Sequence, residues 1–291
     1  MKVSVIVPSK GCKYLSYLIR GLGDQSIKPS ELILVIKNCD RNYVEKLCGD
    51  LSLSCSIIEQ REGYFTHALN LGKKEASGDI LVFTDDDAIP PSGWIKRYIR
   101  LHRYYPNIAG ICSRDIYLDL KNFKLLPASD DKVKVKLYRW FVRPFSKRPL
   151  PLLKKYEMGI YLTNDLEIAY GPYIPNRTSY SLLSAGVNMS FKTSCVQDIW
   201  FPEHKFLKRA LGNEQYFALQ LFLKGFDSIY VPNNPVLHIA RDDSLSRSKN
   251  VEELLRELDF MRLLYRELLE KHDVEITRTI KSYSSYYSGE N

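Results

Sequence analysis

Ser77–Trp94 reads SGDILVFTDDDAIPPSGW, and the order of residue types in it decides how the rest of the chain is interpreted. Ile80-Leu81-Val82-Phe83 is a short continuous apolar run, the composition of a strand covered on both faces in a parallel sheet. Asp85, Asp86 and Asp87 follow at once. Pro90, Pro91 and Gly93 then turn the chain into a helical pattern that opens at Trp94 and continues through Ile95, Tyr98, Ile99 and His102. Open α/β sheets bind ligands beyond the carboxyl ends of their strands, which puts three carboxylates at the mouth of a site. Neighbouring carboxylates repel one another, and one further extended step of backbone points the first and third the same way. A hard divalent cation, Mg²⁺ or Mn²⁺, relieves that repulsion. Such ions take one or two protein carboxylates and complete their shell with substrate phosphates. The competing reading, a solvated acidic turn capping the Trp94 helix, does not account for three carboxylates together.

Outward from this stretch, strand and helix patterns alternate. Val3 to Val7 predicts a first buried strand ended by Pro8, with Ser9-Lys10-Gly11 as a turn and a helix through Leu15, Leu18, Ile19 and Leu22. Glu31 to Ile36 predicts a second strand, Tyr43 to Cys48 a helix, and Ser54 to Glu59 a third strand. Gly63, Ala68, Asn70, Gly72, Ala76 and Gly78 are small residues at helical spacing that let a helix lie close to a sheet. Ile108 to Cys112 predicts one more strand. This alternation argues for a doubly wound α/β domain with a mostly parallel sheet flanked by helices.

Four segments follow: 1–113, 114–181, 182–240 and 241–291. In the second, Leu118 to Lys136 is polar without a clear period, and Ile160 to Tyr170 predicts a hairpin around Asn164-Asp165. The third contains Ala185 to Lys192, a helix over 215–224 with Asn213 as N-cap and Gly225 as stop, a strand over 228–231, and a short strand ending in His238. The last is an amphipathic helix from Val251 to His272, with Leu254, Leu258, Met261, Tyr265 and Leu268 on one face, and a polar tyrosine-rich tail over 282–291.

The 291 residues carry a net charge of +8, and nine Lys or Arg with no acid lie between Lys132 and Lys155. That leaves 33 basic against 34 acidic residues elsewhere, so the whole excess sits in the second segment. No apolar run approaches the ~20 residues of a membrane span, and the strand pattern begins right after Met1-Lys2, which leads us to expect a cytoplasmic protein. Six cysteines without a C-x-x-C pair are expected as buried free thiols, with intracellular disulfides the alternative if the source is a hyperthermophile.

Five landmarks in order carry a family resemblance: Val3-Ser4-Val5-Ile6-Val7-Pro8; Ala68-x-Asn70-x-Gly72 with Ala76-x-Gly78-Asp79; Asp85-Asp86-Asp87 with Pro90 and Gly93-Trp94; Gly186-x-Asn188-Met189-x-Phe191; and Asn213-Glu214 before a helix ending Lys224-Gly225. Together they resemble the inverting glycosyltransferases of the GT-A fold, specifically the large family 2 that uses nucleotide-diphosphate sugars. The match covers residues 1 to about 112 and 182–240. The resemblance implies a donor site at Pro8, Ser9, Asn38, Asp40, Asn70, Asp85 and Asp86. It implies a Mn²⁺ or Mg²⁺ site at Asp85, Asp87 and His238, and an acceptor side at Gly186, Asn188 and Trp94. Glu214 aligns with the last acid of the family's usual Glu-Asp pair, the general base that takes a proton from the attacking acceptor hydroxyl. Without the resemblance, Glu214 is a first-turn acid favoured by the helix dipole.

Two departures stand out: Ile36-Lys37-Asn38 replaces the aspartates that usually grip the base, leaving Asn38 or Asp40 to do so, and Asn213 replaces the first acid of the pair. The implied partners are a nucleotide-diphosphate sugar and a hydroxyl acceptor, a glycan or a lipid-linked glycan. The basic, aromatic stretch 132–155 suits an anionic membrane surface, which would make the protein peripheral on the inner membrane face. It suits nucleic acid less, since no recognised motif accompanies it, and a solvated loop over packed aromatics is the plain alternative. Two rival functions are a catalytically silent nucleotide- or sugar-binding module and a Mg²⁺-dependent nucleotidyltransferase. The latter should show a Gly-rich basic triphosphate loop, for which Ser9-Lys10-Gly11 is too short.

Overall fold

The predicted apolar runs become adjacent parallel strands. β1 (Val3–Lys10), β2 (Glu31–Lys37), β3 (Cys55–Glu59) and β4 (Ile80–Phe83) alternate with helices α1 (Leu15–Gly23), α2 (Arg41–Asp50) and α3 (Phe65–Glu75). After them come β5 (Ala88–Ile89), α4 (Trp94–Tyr104), β6 (Ile108–Cys112), β7 (Asp115–Asp119) and β8 (Lys124–Leu125). The middle of the chain holds α5 (Val133–Leu137), α6 (Arg143–Ser146), β9 (Ile160–Leu162), β10 (Ile168–Tyr170) and β11 (Ser179–Tyr180). β12 (Met189–Lys192), α7 (Asn213–Leu223), β13 (Asp227–Tyr230), β14 (Val236–Ile239) and α8 (Val251–Glu270) complete it. The computed structural model describes residues 1–50, 54–127, 130, 132–183, 186–241 and 250–274; Ala185 and the tail 282–291 lie outside the described residues.

The main sheet has eight strands in the order β11-β13-β6-β12-β4-β1-β2-β3, and a second sheet runs β5-β14-β7-β8. In the main sheet only β12 and β11 run antiparallel to their neighbours. Strand alternation separates two apolar layers. Ile6, Ile33, Leu81 and Phe83 face α3, α7 and α8, whereas Val5, Val7, Leu32 and Val82 face α1 and α4. Gly72 lets α3 approach β1 closely, because a Cβ there would lie 2.4 Å from Ile6 Cγ2.

Several expectations change. β1 does not end at Pro8 but continues to Lys10. Ile6 O accepts from Thr84 N, so even-numbered residues turn their polar groups toward β4, and pairing with β4 stops at Ile6. The donor that Pro8 lacks therefore has no strand opposite it. Residues 118–136, read as aperiodic, supply part of β7 and all of β8, and β7 pairs in parallel with β14. With β11 on the main sheet and Leu150, Leu153 and Leu162 in the larger core, the insertion is woven into the domain. The hairpin over 160–170 forms as predicted. In α8 the buried face is Glu257, Phe260, Met261, Tyr265 and Leu269, rotated from the expected stripe. Asn213 is the first residue of α7 rather than its N-cap; Gly212, at φ 95°, takes that place, and Gly225 stops the helix at φ 84°.

The expectation of free thiols is corrected for four of the six cysteines: Cys12 pairs with Cys39 and Cys48 with Cys55, and Cys112 and Cys195 lie outside these disulfides. The spacing hides the first bond, but Lys10 lies opposite Lys37 in the β1–β2 register. Cys12 and Cys39 each follow by two residues, at a Cα–Cα distance of 5.6 Å. Among the described residues, no helix is long and apolar enough to cross a membrane.

Candidate active site

Backbone pairing brings the acids of the β4 end together with His238. β14 runs antiparallel to β5 with His238 opposite Ala88, and Ile239 N donates to Asp87 O at 2.9 Å. Asp85, Asp87 and His238 each offer a ligand atom, all within 4.8 Å of one another. Asp86 points elsewhere, accepting a 2.5 Å hydrogen bond from Ser9 Oγ at the end of β1. The first and third carboxylates therefore share a side, although the backbone is not extended there as expected: Ala88 N donates to Asp85 O at 3.2 Å, closing a turn over the triplet.

The electrostatics suit a cation. Neither oxygen of the fully buried Asp87 carboxylate accepts a hydrogen bond of normal geometry. Instead His238 Nε2 lies 3.3 Å from Oδ1 and Arg241 Nε 2.8 Å from Oδ2. Burial and the charge of Asp87 push the Asp85 carboxyl up to about 7, and burial pushes Asp86 up to about 6. Burial works against a charged His238, but the hydrogen bond to Asp115 and the carboxylates of Asp87 and Asp85 close by outweigh it and carry the imidazole up to about 10. His238 Nδ1 sits 2.8 Å from Asp115 Oδ2, and its ring stacks on Tyr117. Two carboxylates and an imidazole backed by a third carboxylate form a donor set that could hold Mg²⁺ or Mn²⁺.

Glu214 stands in the first turn of α7, where its Oε1 accepts the Gly186 N–H at 3.0 Å. A Cβ on residue 186 would lie 2.8 Å from that oxygen, so glycine is what allows the contact. Burial pushes the Glu214 carboxyl up to about 7 although the backbone N–H groups of Glu214 and Gly186 favour its charged form. Asp85 lies within electrostatic reach of Glu214.

Other predicted residues hold the site from behind. Trp94 and Asn188 are fully buried. Asn188 Oδ1 accepts from Trp94 Nε1 and Tyr98 OH, and its Nδ2 donates to the carbonyls of Arg114 and Asn234. With all four hydrogen bonds used, Asn188 ties together the two stretches that deliver Asp115 and His238. Asn70 is likewise committed, binding Phe201 and Glu203 across to the segment before α7. Asn38 is exposed at φ 56°, and Asp40 caps α2 by accepting the N–H groups of Asn42 and Tyr43. A cavity of about 500 Å³ lined by Tyr104, Tyr105, Lys155 and Tyr180 lies at the amino end of β6, at the opposite end of the strands from the acids.

Sequence reasoning missed Asp115, Arg241 and a clamp from α8. The signal for Asp115 was present, since it follows β6 much as the aspartate cluster follows β4. The clamp consists of Glu257, which accepts the N–H groups of Arg209 and Ala210 at 3.0 Å each, and Tyr265, which donates to Gly212 O at 2.7 Å. Ala210 and Gly212 both adopt left-handed φ, so the entrance to α7 depends on these bonds. Glu257→Gln is expected to lower kcat about tenfold with KM for the donor unchanged; steady-state kinetics with CD at matched stability checks this, and an unchanged kcat removes the clamp from catalysis.

Residues 4–157, just over half of the chain, match the family described as Glycosyl transferase family 2. This chain belongs to that family. Among curated proteins, the poly(ribitol-phosphate) β-N-acetylglucosaminyltransferase TarS of Staphylococcus aureus is 32% identical over 93 residues, which is 30% of this chain and 16% of that protein. The family 2 chain thus spans a small part of that relative's length. The S. aureus TarS 1-349 crystal structure in complex with UDP-GlcNAc superposes with a TM-score of 0.58 at 18% identity, over 92% of this chain and 67% of that one. The mannosyltransferase PcManGT of Pyrobaculum calidifontis, solved with GDP-Man and Mn²⁺, gives 0.57 at 16% identity over 92% and 69%. GalNAc-T7, with UDP, GalNAc and Mn²⁺, gives 0.63 at 12% identity over 96% and 52%. The observed architecture is the GT-A, Rossmann-like α/β fold that the family 2 resemblance implies.

Proposed function

We propose that this family 2 chain is an inverting glycosyltransferase that moves one sugar from a nucleotide-diphosphate donor to a hydroxyl of a glycan or lipid-linked glycan acceptor. The observation that carries the proposal is the pairing of a cation-ready cluster, Asp85, Asp87 and His238, with a separate half-buried carboxylate, Glu214, whose environment holds it near neutrality. The superposed structures were solved with UDP-GlcNAc, with GDP-Man and Mn²⁺, and with UDP, GalNAc and Mn²⁺, which supports the same class of donor and cation here.

A Mg²⁺ or Mn²⁺ ion bound at this cluster supplies positive charge against the nucleoside diphosphate as it departs. Asp85, Asp87 and His238 would hold it, with Asp115 fixing the imidazole through Nδ1 so that Nε2 faces the cluster. Ser9 keeps Asp86 turned away from the cluster, and Pro8, Ser9, Asn38 and Asp85 would border the donor. Glu214 accepts the proton of the acceptor hydroxyl as that oxygen attacks the anomeric carbon opposite the leaving diphosphate, and Gly186 N–H steadies the carboxylate before and during transfer. Gly186 accordingly borders the acceptor, while Trp94 and Asn188 act through the strands that they position.

The test is turnover with a panel of UDP- and GDP-sugars and Mn²⁺, with the anomeric configuration of the product read by NMR. Transfer with an inverted anomer is expected. A retained anomer, or metal-dependent nucleotide binding without any transfer across a broad acceptor panel, overturns the proposal.

A further inference from the structure

Residues 133–146 form one helical run, α5 and α6 joined by a π-helical turn over Tyr138–Val142. Its two faces are reversed relative to an ordinary surface helix, which turns apolar side chains inward. The inward face carries arginines. Arg139 donates to Ile174 O and pairs with Asp130 at 2.7 Å, and Arg143 donates to the carbonyls of Arg139 and Glu157 and to Tyr161 OH. The outward face carries Val133 (70% exposed), Phe141 (69%) and Phe145 (80%), with Leu137 and Trp140 about half exposed. Steps of three and four residues place these five on one stripe. Such a stripe in water is unfavourable unless something apolar covers it.

Charge says what the cover is. Between Lys132 and Lys155 there are nine cations and no acid, and Lys132, Lys134 and Arg148 are exposed. A surface that accepts aromatic side chains and is negatively charged at the same depth is the headgroup region of an anionic bilayer, where a half-buried tryptophan is also at home. We infer that helix 133–146 lies in the interface of an anionic membrane, with Phe141 and Phe145 inserted and Lys132, Lys134 and Arg148 at the lipid phosphates. The inward side of the same helix leads to the proposed catalytic base: the Arg139 guanidinium lies 5.2 Å from the Tyr170 ring centroid, and Tyr170 is within electrostatic reach of Glu214. Resting on the transferase proposal, this makes a lipid-anchored hydroxyl the acceptor class that the surface would present to Glu214.

The experiment is co-sedimentation of the full chain with phosphatidylcholine vesicles, with and without phosphatidylglycerol, alongside Trp fluorescence. Binding to the anionic vesicles alone is expected, weakened by salt, with a blue shift that Trp140→Phe removes. Phe141→Ser with Phe145→Ser should lower the partition at least about tenfold, and Lys132→Glu with Lys134→Glu should do so independently. CD and nucleotide binding should stay unchanged, since none of these residues touches the aspartate cluster. Equal binding to neutral vesicles, no binding to anionic ones, or concentration-dependent self-association abolished by the Phe pair without any vesicle binding overturns the inference. Vesicle binding is read without turnover, so a chain that binds membranes but transfers no sugar refutes the transferase proposal and leaves the surface standing.

Discussion

Glu214→Gln is expected to lower kcat by about three orders of magnitude while donor affinity stays within about twofold. Glutamine keeps the size of the side chain and its acceptor toward Gly186 N–H, so the loss is confined to the proton that the hydroxyl must give up. In the wild-type chain, burial holds this carboxyl at about 7, and only its ionised form is a base. Activity at saturating cation should therefore fall as pH drops through about 7, a limb absent from the residual activity of the variant. Stability should move the other way. A carboxyl whose folded pKa is raised costs nothing while protonated in both states, and the cost grows as pH rises from the unfolded value toward the folded one. It is complete above about 7, so Glu214→Gln should stabilise the fold there by on the order of 3 kcal/mol and leave it unchanged below pH 4. Thermal melts across that range, read beside the kinetics, decide the matter. Undiminished turnover ends the assignment of Glu214 as base, and a pH-independent melting difference ends the account of its burial.

Asp87→Asn should abolish cation-dependent donor binding, with a loss of at least about 100-fold in titrations of UDP- and GDP-sugars against Mn²⁺. Asp87 is the fully buried member of the cluster, and its two oxygens face cationic groups, His238 Nε2 at 3.3 Å and Arg241 Nε at 2.8 Å, so its charge is what the asparagine removes. Asparagine conserves the volume, so a folded but unresponsive protein is the expected result. Asp115→Asn serves as a graded companion. It leaves the three ligands in place and removes what orients His238, for which a loss of about 10- to 100-fold is typical. Unaltered Mn²⁺ dependence in Asp87→Asn would mean that the cation, if one is used, sits elsewhere.

The acidic strand end was legible because each of its features is local. A continuous apolar tetrapeptide, a change to charge and a proline turn need no distant partner to be recognised, and the same holds for β1 to β3, the hairpin over 160–170 and Gly225. Asp40 and Asn70 show the limit: both are polar residues near the expected donor site, yet one is occupied by the N–H groups of α2 and the other by Phe201 and Glu203. Neither use is visible until the chain is folded. The same is true of the stripe in α8, where a buried Glu257 lies on the core side because two backbone N–H groups 47 and 48 residues away receive it.

By itself, then, the sequence determined the alternating α/β order, the parallel strands and the kind of residue at their carboxyl ends, because these follow from periodicities of two and of 3.6 within short windows. Only the tertiary structure decided which of those residues meet. The β1–β2 register brought Cys12 to Cys39, the β14 pairings set His238 between Asp87 and Asp115, and α8 clamped the entrance to Glu214. It also turned the basic stretch inside out, since Arg139 and Arg143 found carbonyls and carboxylates inside and left the aromatics outside. These are contacts between residues far apart in the chain, and the hydrogen bonds and charges that make them favourable exist only once the sheet has fixed their distance.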